Sequence, residues 1–287
     1  MFSCAVLRAA GVKPDSTSVA HLSKGVQMEA LVNGGRLAYE DVGAGEALLL
    51  LHAFPLSGAM WRPQVAAFQG RYRVIVPDLR GFGASEVREG PALMEQFAAD
   101  LLALCDQLQI ERFALCGLSM GGYISFAILR AAAERVWALV LADTKAGADS
   151  AEAQAAREAN ARLAESQGAA ALADKMIPSL LATTTGAEVR AELRTMIQAN
   201  PPQGLAAALR GMAARPASFA TLAALSVPTL VIVGSEDGLT PPAEARAIQA
   251  AVTGSQLVEI AGAGHLASIE QPVLFNAALE AFLLSVR

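Results

Sequence analysis

The sequence predicts an α/β domain built on a mostly parallel sheet with helices on both faces. Three observations carry this reading. Continuous apolar runs recur along the chain, "ALLLL" and "TLVIVG" among them, as strands buried on both faces require. Helical patterns separate those runs, the alternation of a parallel sheet with crossover helices. Finally, 287 residues with 54% hydrophobic and 17% charged side chains supply a core large enough to cover such a sheet.

In chain order, residues 1–27 show neither strand nor helix periodicity and read as a disordered N-terminal extension. The apolar patch there is short and broken by Arg8, which makes a poor secretion signal. Met28 opens the first strand-like run, and "EALVN-GG-RLAYEDVG" reads as a hairpin around a two-glycine turn. "ALLLLHAF" is the third strand. A helical stretch near Trp61 to Gln69 leads to the fourth strand and a glycine-rich loop, "YRVIVPDLRGFGAS". Leu93 to Gln109 is amphipathic and helical, "RFALCG" is the fifth strand and "RVWALVLADT" the sixth. Between Thr144 and Leu225 the alternation stops. Alanine-rich helical segments separated by "IPSLL", "TTTG" and "NPPQG" take its place. The strands "TLVIVG" and "QLVEI" then complete a set of eight. The expected organisation is a core of residues 28–143 and 226–287, with 144–225 a small helical lid inserted after the sixth strand.

Composition narrows the function. Net charge is −5 and the Lys and Arg residues are scattered, which argues against nucleic acid or an anionic membrane as partner. No apolar run approaches the roughly 18 residues of a membrane span. Cys4, Cys105 and Cys116 make no even disulfide framework, and the compartment is read as reducing and cytoplasmic. His21, His52 and His265 share no metal-ligand spacing, so no metal or cofactor is expected. A homo-oligomer is left open.

The chemistry concentrates in "FALCGLSMGGYISFAILR". Gly117-Leu118-Ser119-Met120-Gly121 fits G-x-S-x-G with a strand before it and a helix after it. A serine in so tight a turn needs neighbours nearly free of side chain. The helix behind it aims free N–H groups and a positive dipole end at the hydroxyl. Serine is a poor nucleophile without a base. His265, in the glycine loop "EIAGAGHLASIEQP" after the last strand, is placed to reach the same sheet edge. The acid that would orient it is Asp237 in "VIVGSEDGLTPP", preferred over Asp143 and Glu236 because "DGLTPP" sets it in a turn opening a helix. The chain order is Ser119, Asp237, His265.

The stretches "LLLHAFP", "YRVIVPDLRGFGAS", "CGLSMGGYIS", "PTLVIVGSEDGLTPP" and "GAGHLASIEQP" together resemble an α/β-hydrolase-fold protein from Glu29 to Val286. The nearest likeness is to small-lid esterases, enol-lactonases and perhydrolases formerly called non-haem haloperoxidases. The resemblance implies an eight-stranded sheet and oxyanion donors at the backbone N–H groups of Phe54 and Met120. It also implies structural roles for His52, Asp78 and Arg80. The family's usual His-Gly appears here as His52-Ala53. Dehalogenases and epoxide hydrolases of this fold carry aspartate where Ser119 stands.

Trp61 and the lid methionines Met176 and Met196 are expected to line an acyl pocket, with Met212 a further candidate. The expected function is a carboxylic-ester hydrolase, a carboxylesterase or lactonase, taking a small-molecule ester or lactone through an acyl-enzyme. The alternatives are a perhydrolase, to which Pro55 after Phe54 points, and a ligand receptor on the same fold with little turnover.

Overall fold

The computed structural model describes residues 4–7 and 27–287. Its strands are β1 (Cys4–Leu7), β2 (Gln27–Val32), β3 (Gly35–Val42), β4 (Ala47–Leu51), β5 (Arg73–Pro77), β6 (Phe113–Leu118), β7 (Val136–Ala142), β8 (Thr229–Gly234) and β9 (Gln256–Ile260). All join one sheet in the order β1-β9-β8-β7-β6-β4-β5-β3-β2. The β2–β3 and β3–β5 pairs are antiparallel and the others parallel.

Strands β2 to β9 are the eight that the sequence predicts. β1 is a correction to the expected extension, because Cys4–Leu7 pairs in parallel with Leu257–Ile260 at the sheet edge. Four residues are too few for a periodicity to register. The remainder of that segment, residues 1–3 and 8–26, lies outside the described residues, and the first hairpin strand begins at Gln27 rather than Met28. The hairpin turn is also displaced by one residue. Its central pair is Asn33 (φ 48°) and Gly34 (φ 79°), and Gly35 already belongs to β3. Two positive φ values match the right-handed twist of a hairpin, and Asn-Gly meets that demand.

Among the described residues ten α-helices accompany the sheet: α1 (Arg62–Phe68), α2 (Met94–Gln107), α3 (Met120–Ala132), α4 (Ala151–Leu180), α5 (Ala187–Gln198), α6 (Pro202–Ala213), α7 (Phe219–Ala223), α8 (Pro242–Ala251), α9 (Ala267–Glu270) and α10 (Pro272–Ser285). The inner strands β4 to β8 are buried on both faces. Leu49, Leu115 and Leu139 pack with α2 and α3 on one face; Leu50, Cys116 and Val140 pack with α1 and α10 on the other. Burial pushes the Cys105 thiol up to about 12 and the Cys116 thiol higher still, so neither supplies a thiolate near neutral pH.

Helices α4 to α7 all fall between β7 and β8. Gly168, at φ 82°, breaks the helical path of α4. On either side of that break Ala161, Ala164 and Leu172 share a core with Leu205, Leu209 and Met212 of α6. The alanine richness of the segment therefore has a packing reason: small side chains let the two helices approach closely.

β4 is the centre of the winding, since the chain passes from it to β5 on one side and β6 on the other. The loops after β4 and β6 consequently part at the C-terminal edge and leave a crevice, the usual place for a ligand in an open α/β sheet. His52 organises that edge. Its Nε2 accepts the Leu79 N–H (3.1 Å), so Nδ1 carries the proton and donates to the Ala53 carbonyl (3.0 Å). Asp78 works beside it, accepting N–H groups from Gly58 (2.9 Å) and Ala84 (2.9 Å), while Arg80 pairs with Asp100 at 2.6 Å.

Burial lowers the His52 pKa from 6.5 to about 4. The folded imidazole stays neutral while the unfolded one takes a proton below pH 6.5. The resulting stability is present above pH 6.5 and is lost as pH falls toward 4. Chemical-denaturation midpoints should decline across that window, and less steeply in His52→Gln than in the parent chain.

Candidate active site

Ser119 sits at the junction of β6 and α3 with φ 55° and ψ −109°, a left-handed backbone that costs a residue with a side chain about 1–3 kcal/mol. Two hydrogen bonds hold the turn. The Ser119 N–H donates to the Ala142 carbonyl (2.9 Å), and the Thr144 hydroxyl donates to the Ser119 carbonyl (2.9 Å). The flanking glycines answer to close approach. A Cβ on Gly117 would lie 2.3 Å from the Gly121 carbonyl oxygen, and one on Gly121 would lie 2.3 Å from the Leu51 carbonyl oxygen.

The other expected residues converge on this turn from neighbouring strand ends. His265 Nε2 is 2.8 Å from Ser119 Oγ, and His265 Nδ1 is 2.9 Å from Asp237 Oδ2. All three side chains are buried. Asp237 Oδ1 also accepts the N–H groups of Leu239 (2.8 Å) and Thr240 (2.9 Å), and its Oδ2 accepts the Thr240 hydroxyl (2.7 Å). Burial opposes ionisation of Asp237, but the hydrogen bonds from His265 and Thr240 outweigh it and hold the carboxyl below its ordinary value. With that carboxylate on Nδ1, the imidazole keeps Nε2 free to take a proton from Ser119.

Asp143 and Glu236, the rival acids, make no hydrogen bond to the imidazole among the described residues. Glu236 is exposed. Asp143 instead accepts N–H groups from Gly234 (2.8 Å) and Ala267 (3.3 Å), tying the end of β8 to the loop that carries His265. Burial, then the neighbouring charge of Asp237, raises its pKa well above the usual carboxylate range. The two buried acids are thus driven apart, Asp237 below and Asp143 above the ordinary carboxylate value.

The backbone N–H of Met120 opens α3, and that of Phe54 lies in the loop after β4; neither takes part in a backbone hydrogen bond among the described residues. Because β4 and β6 are adjacent, with Leu51 opposite Gly117, both amides belong to segments at the same edge of the sheet.

A cavity of about 230 Å³ opens over Ser119 and His265. Phe54, Met176 and Met212 line it. Trp61 does not: it is fully buried against Phe275 on the other face of the sheet. Met196 lies in a separate apolar cleft with Met60 and Leu193, between α5 and the segment before α1. Sequence spacing identifies apolar positions on a helix but not which of several crevices they meet, and these two expectations are corrected. Further polar participants were not anticipated, Glu270 among them. Thr240 orients Asp237, and Lys145 and Arg157 line the cavity. Glu270 ties the two halves together: Oε1 accepts the N–H groups of Gly264 (2.9 Å) and Leu266 (3.3 Å), and Oε2 those of Ala182 (2.8 Å) and the Thr185 hydroxyl (2.5 Å). Its position after His265 in "HLASIEQP" was the available signal. Among the described residues no cluster of His, Cys, Asp and Glu could hold a metal ion, and no helix is long and apolar enough to cross a membrane.

Sheet, crevice and strained turn define a protein of the α/β-hydrolase class. The chain belongs to the α/β-hydrolase fold family, whose model matches residues 46–272. It is 32% identical over 257 residues to 3-oxoadipate enol-lactonase 2 of Acinetobacter baylyi, covering 86% of this chain and 92% of that protein. A malate-bound thermophilic esterase from Thermogutta terrifontis superposes with a TM-score of 0.87 at 42% identity, over 91% of this chain and 98% of that one. The enol-lactonase of Burkholderia xenovorans LB400 follows at 0.82 and 32%, over 90% and 100%. The chain is therefore similar to hydrolases, esterases and lactonases among them.

The tight contact at Gly121 makes a structural prediction. Gly121→Ala should force the Leu51 carbonyl away and destabilise the fold by about 1–3 kcal/mol, read as a lower urea midpoint.

Proposed function

We propose that the chain is a carboxylic-ester hydrolase, a carboxylesterase or lactonase, working through an acyl-enzyme on Ser119. The observation that carries this reading is the unbroken relay from the Ser119 hydroxyl through His265 to the ionised Asp237. Ser119 attacks the ester carbonyl as His265 Nε2 takes its proton. The carbonyl oxygen, now an oxyanion, accepts the N–H groups of Phe54 and Met120. His265 then returns the proton to the leaving alcohol, and a water activated by the same imidazole releases the acid. Asp237 keeps Nδ1 protonated and offsets the imidazolium charge throughout. No cofactor enters these steps.

The cavity supports a small substrate, since about 230 Å³ is below the roughly 300 Å³ where ligand pockets usually begin. A lactone is a cyclic ester and requires no different machinery. Residues 144–225 would act as a lid, with Met176, Leu180 and Met212 roofing the serine and selecting substrate by fit. Glu270 would link this lid to the His265 loop. The relationship to esterases and enol-lactonases supports the same class.

Ser119→Ala and His265→Ala should each lower kcat on a chromogenic acetate ester by about 10⁴- to 10⁶-fold, with the thermal melt preserved. Full activity in a folded Ser119→Ala chain would refute the assignment. Turnover beyond one equivalent per chain separates a hydrolase from a receptor that retains its acyl group.

A further inference from the structure

The wall of the cavity over Ser119 is more positive than ester hydrolysis requires. Lys145 and Asp149 lie in the segment after β7, Arg157 on the second turn of α4, and Arg215 just beyond α6. Lys145 Nζ is 3.1 Å from Asp149 Oδ1, Arg215 Nη2 is 2.8 Å from the same oxygen, and Arg157 Nε bonds Asp149 Oδ2. Three cations thus share one carboxylate, and the cluster keeps two unit positive charges.

The four groups differ in what they leave for a ligand. The Asp149 side chain is 1% exposed and engaged at both oxygens. Arg215 is 4% exposed, donates to the carbonyls of Met212 (2.7 Å) and Gly147 (3.1 Å), and lies 3.9 Å over the Tyr123 ring. Lys145 and Arg157 remain 23% and 20% exposed and line the same cavity as Ser119 and His265. Among the described residues the only carboxylate either one meets is Asp149, and Arg157 Nη1 reaches only the weakly accepting Met212 sulfur at 3.4 Å. Asn160, one helical turn beyond Arg157, lines the cavity too, and its buried side-chain oxygen has no hydrogen-bond partner. Amide oxygen and nitrogen exchange places on rotation, so this side chain can offer either a donor or an acceptor.

A half-buried excess of positive charge is costly unless an anion completes it. Among the described residues Asp149 is the sole acid lining the cavity, and although burial opposes its ionisation, hydrogen bonds from Arg215 and Arg157 keep it ionised. We propose that Lys145 and Arg157, with Asn160 beside them, bind a free carboxylate on the substrate, so that the preferred substrates are esters or lactones of acids bearing a second carboxylate. The inference rests on the ester-hydrolase reading and names its substrate class. Lid residues would then select by charge on this wall and by apolar fit on the Met176 wall.

Methyl pentanoate and monomethyl glutarate differ only in a terminal methyl against a carboxylate, and a pH-stat follows both. The parent chain should show a higher kcat/KM for monomethyl glutarate, and added sodium chloride should erode that preference. Arg157→Gln should lower the glutarate-to-pentanoate ratio by about ten- to a hundredfold, Lys145→Gln should lower it as well, and Arg157→Lys should restore part of it. Calorimetry on Ser119→Ala, which needs no turnover, should show glutarate binding that Arg157→Gln abolishes. If Ser119-dependent hydrolysis is present but the ratio shows no glutarate preference and no response to the variants or to salt, the carboxylate site is overturned and the hydrolase reading survives. If Ser119→Ala binds glutarate while the parent chain cleaves no ester, the hydrolase reading fails and the anion site stands. Binding of inorganic phosphate in place of glutarate would also overturn the proposal.

Discussion

The constraint on which the structure depends is the single-residue turn at Ser119. There the chain must leave the middle of a parallel sheet and enter a helix without an intervening loop, and the residue at the corner is forced to φ 55°. Gly117 and Gly121 touch across the corner, and Gly121 also meets the backbone of β4. That second contact sets the relation between the two strands whose ends carry the Phe54 and Met120 amides. The strain persists because the surroundings over-determine it. β6 is buried throughout, α3 is buried on nearly every turn, and the Ala142 and Thr144 hydrogen bonds tie the corner to β7.

Around this corner, electrostatics sorts like groups into unlike roles. Asp143 and Asp237 both end core strands and both are buried, yet only Asp237 receives the imidazole and the Thr240 hydroxyl. Asp143 receives only backbone N–H groups from Gly234 and Ala267, and with a negative neighbour it is pushed toward the neutral form. One carboxyl orients the imidazole, and the other braces the loop that holds it. Glu270 extends the bracing to the turn at Ala182, so the position of His265 and the end of α4 are mechanically joined.

Much of this was legible in the chain. The inner strands β4 to β8 announce themselves because a strand covered on both faces cannot alternate, and each apolar run ends in polar or glycine residues at the sheet edge. Ser119, Asp237 and His265 stand out for the same reason: they follow strands, in loops where a core residue has no reason to be polar. The hairpin was legible but not its register, since "NGG" offers two overlapping pairs and only the pairing of Val32 with Gly35 chooses Asn33-Gly34. β1 was not legible, because its pairing partner lies some 250 residues away and its own four residues carry no period.

By itself, the sequence determined the alternation of strands and helices, the strained corner and the order of the groups gathered at it. Those are local consequences of backbone geometry and of the two-sided burial of strands. Only the tertiary structure decided which side chains face the cavity. Trp61 and Met196 are as apolar as Met176, but the path of the chain turns them into other crevices. Lys145, Asp149, Arg157 and Arg215 are unremarked charges spread over some 70 residues until the packing of α4 on α6 draws them to one point. Charge becomes a feature of a site only when burial removes the water that would screen it, and burial belongs to the fold as a whole.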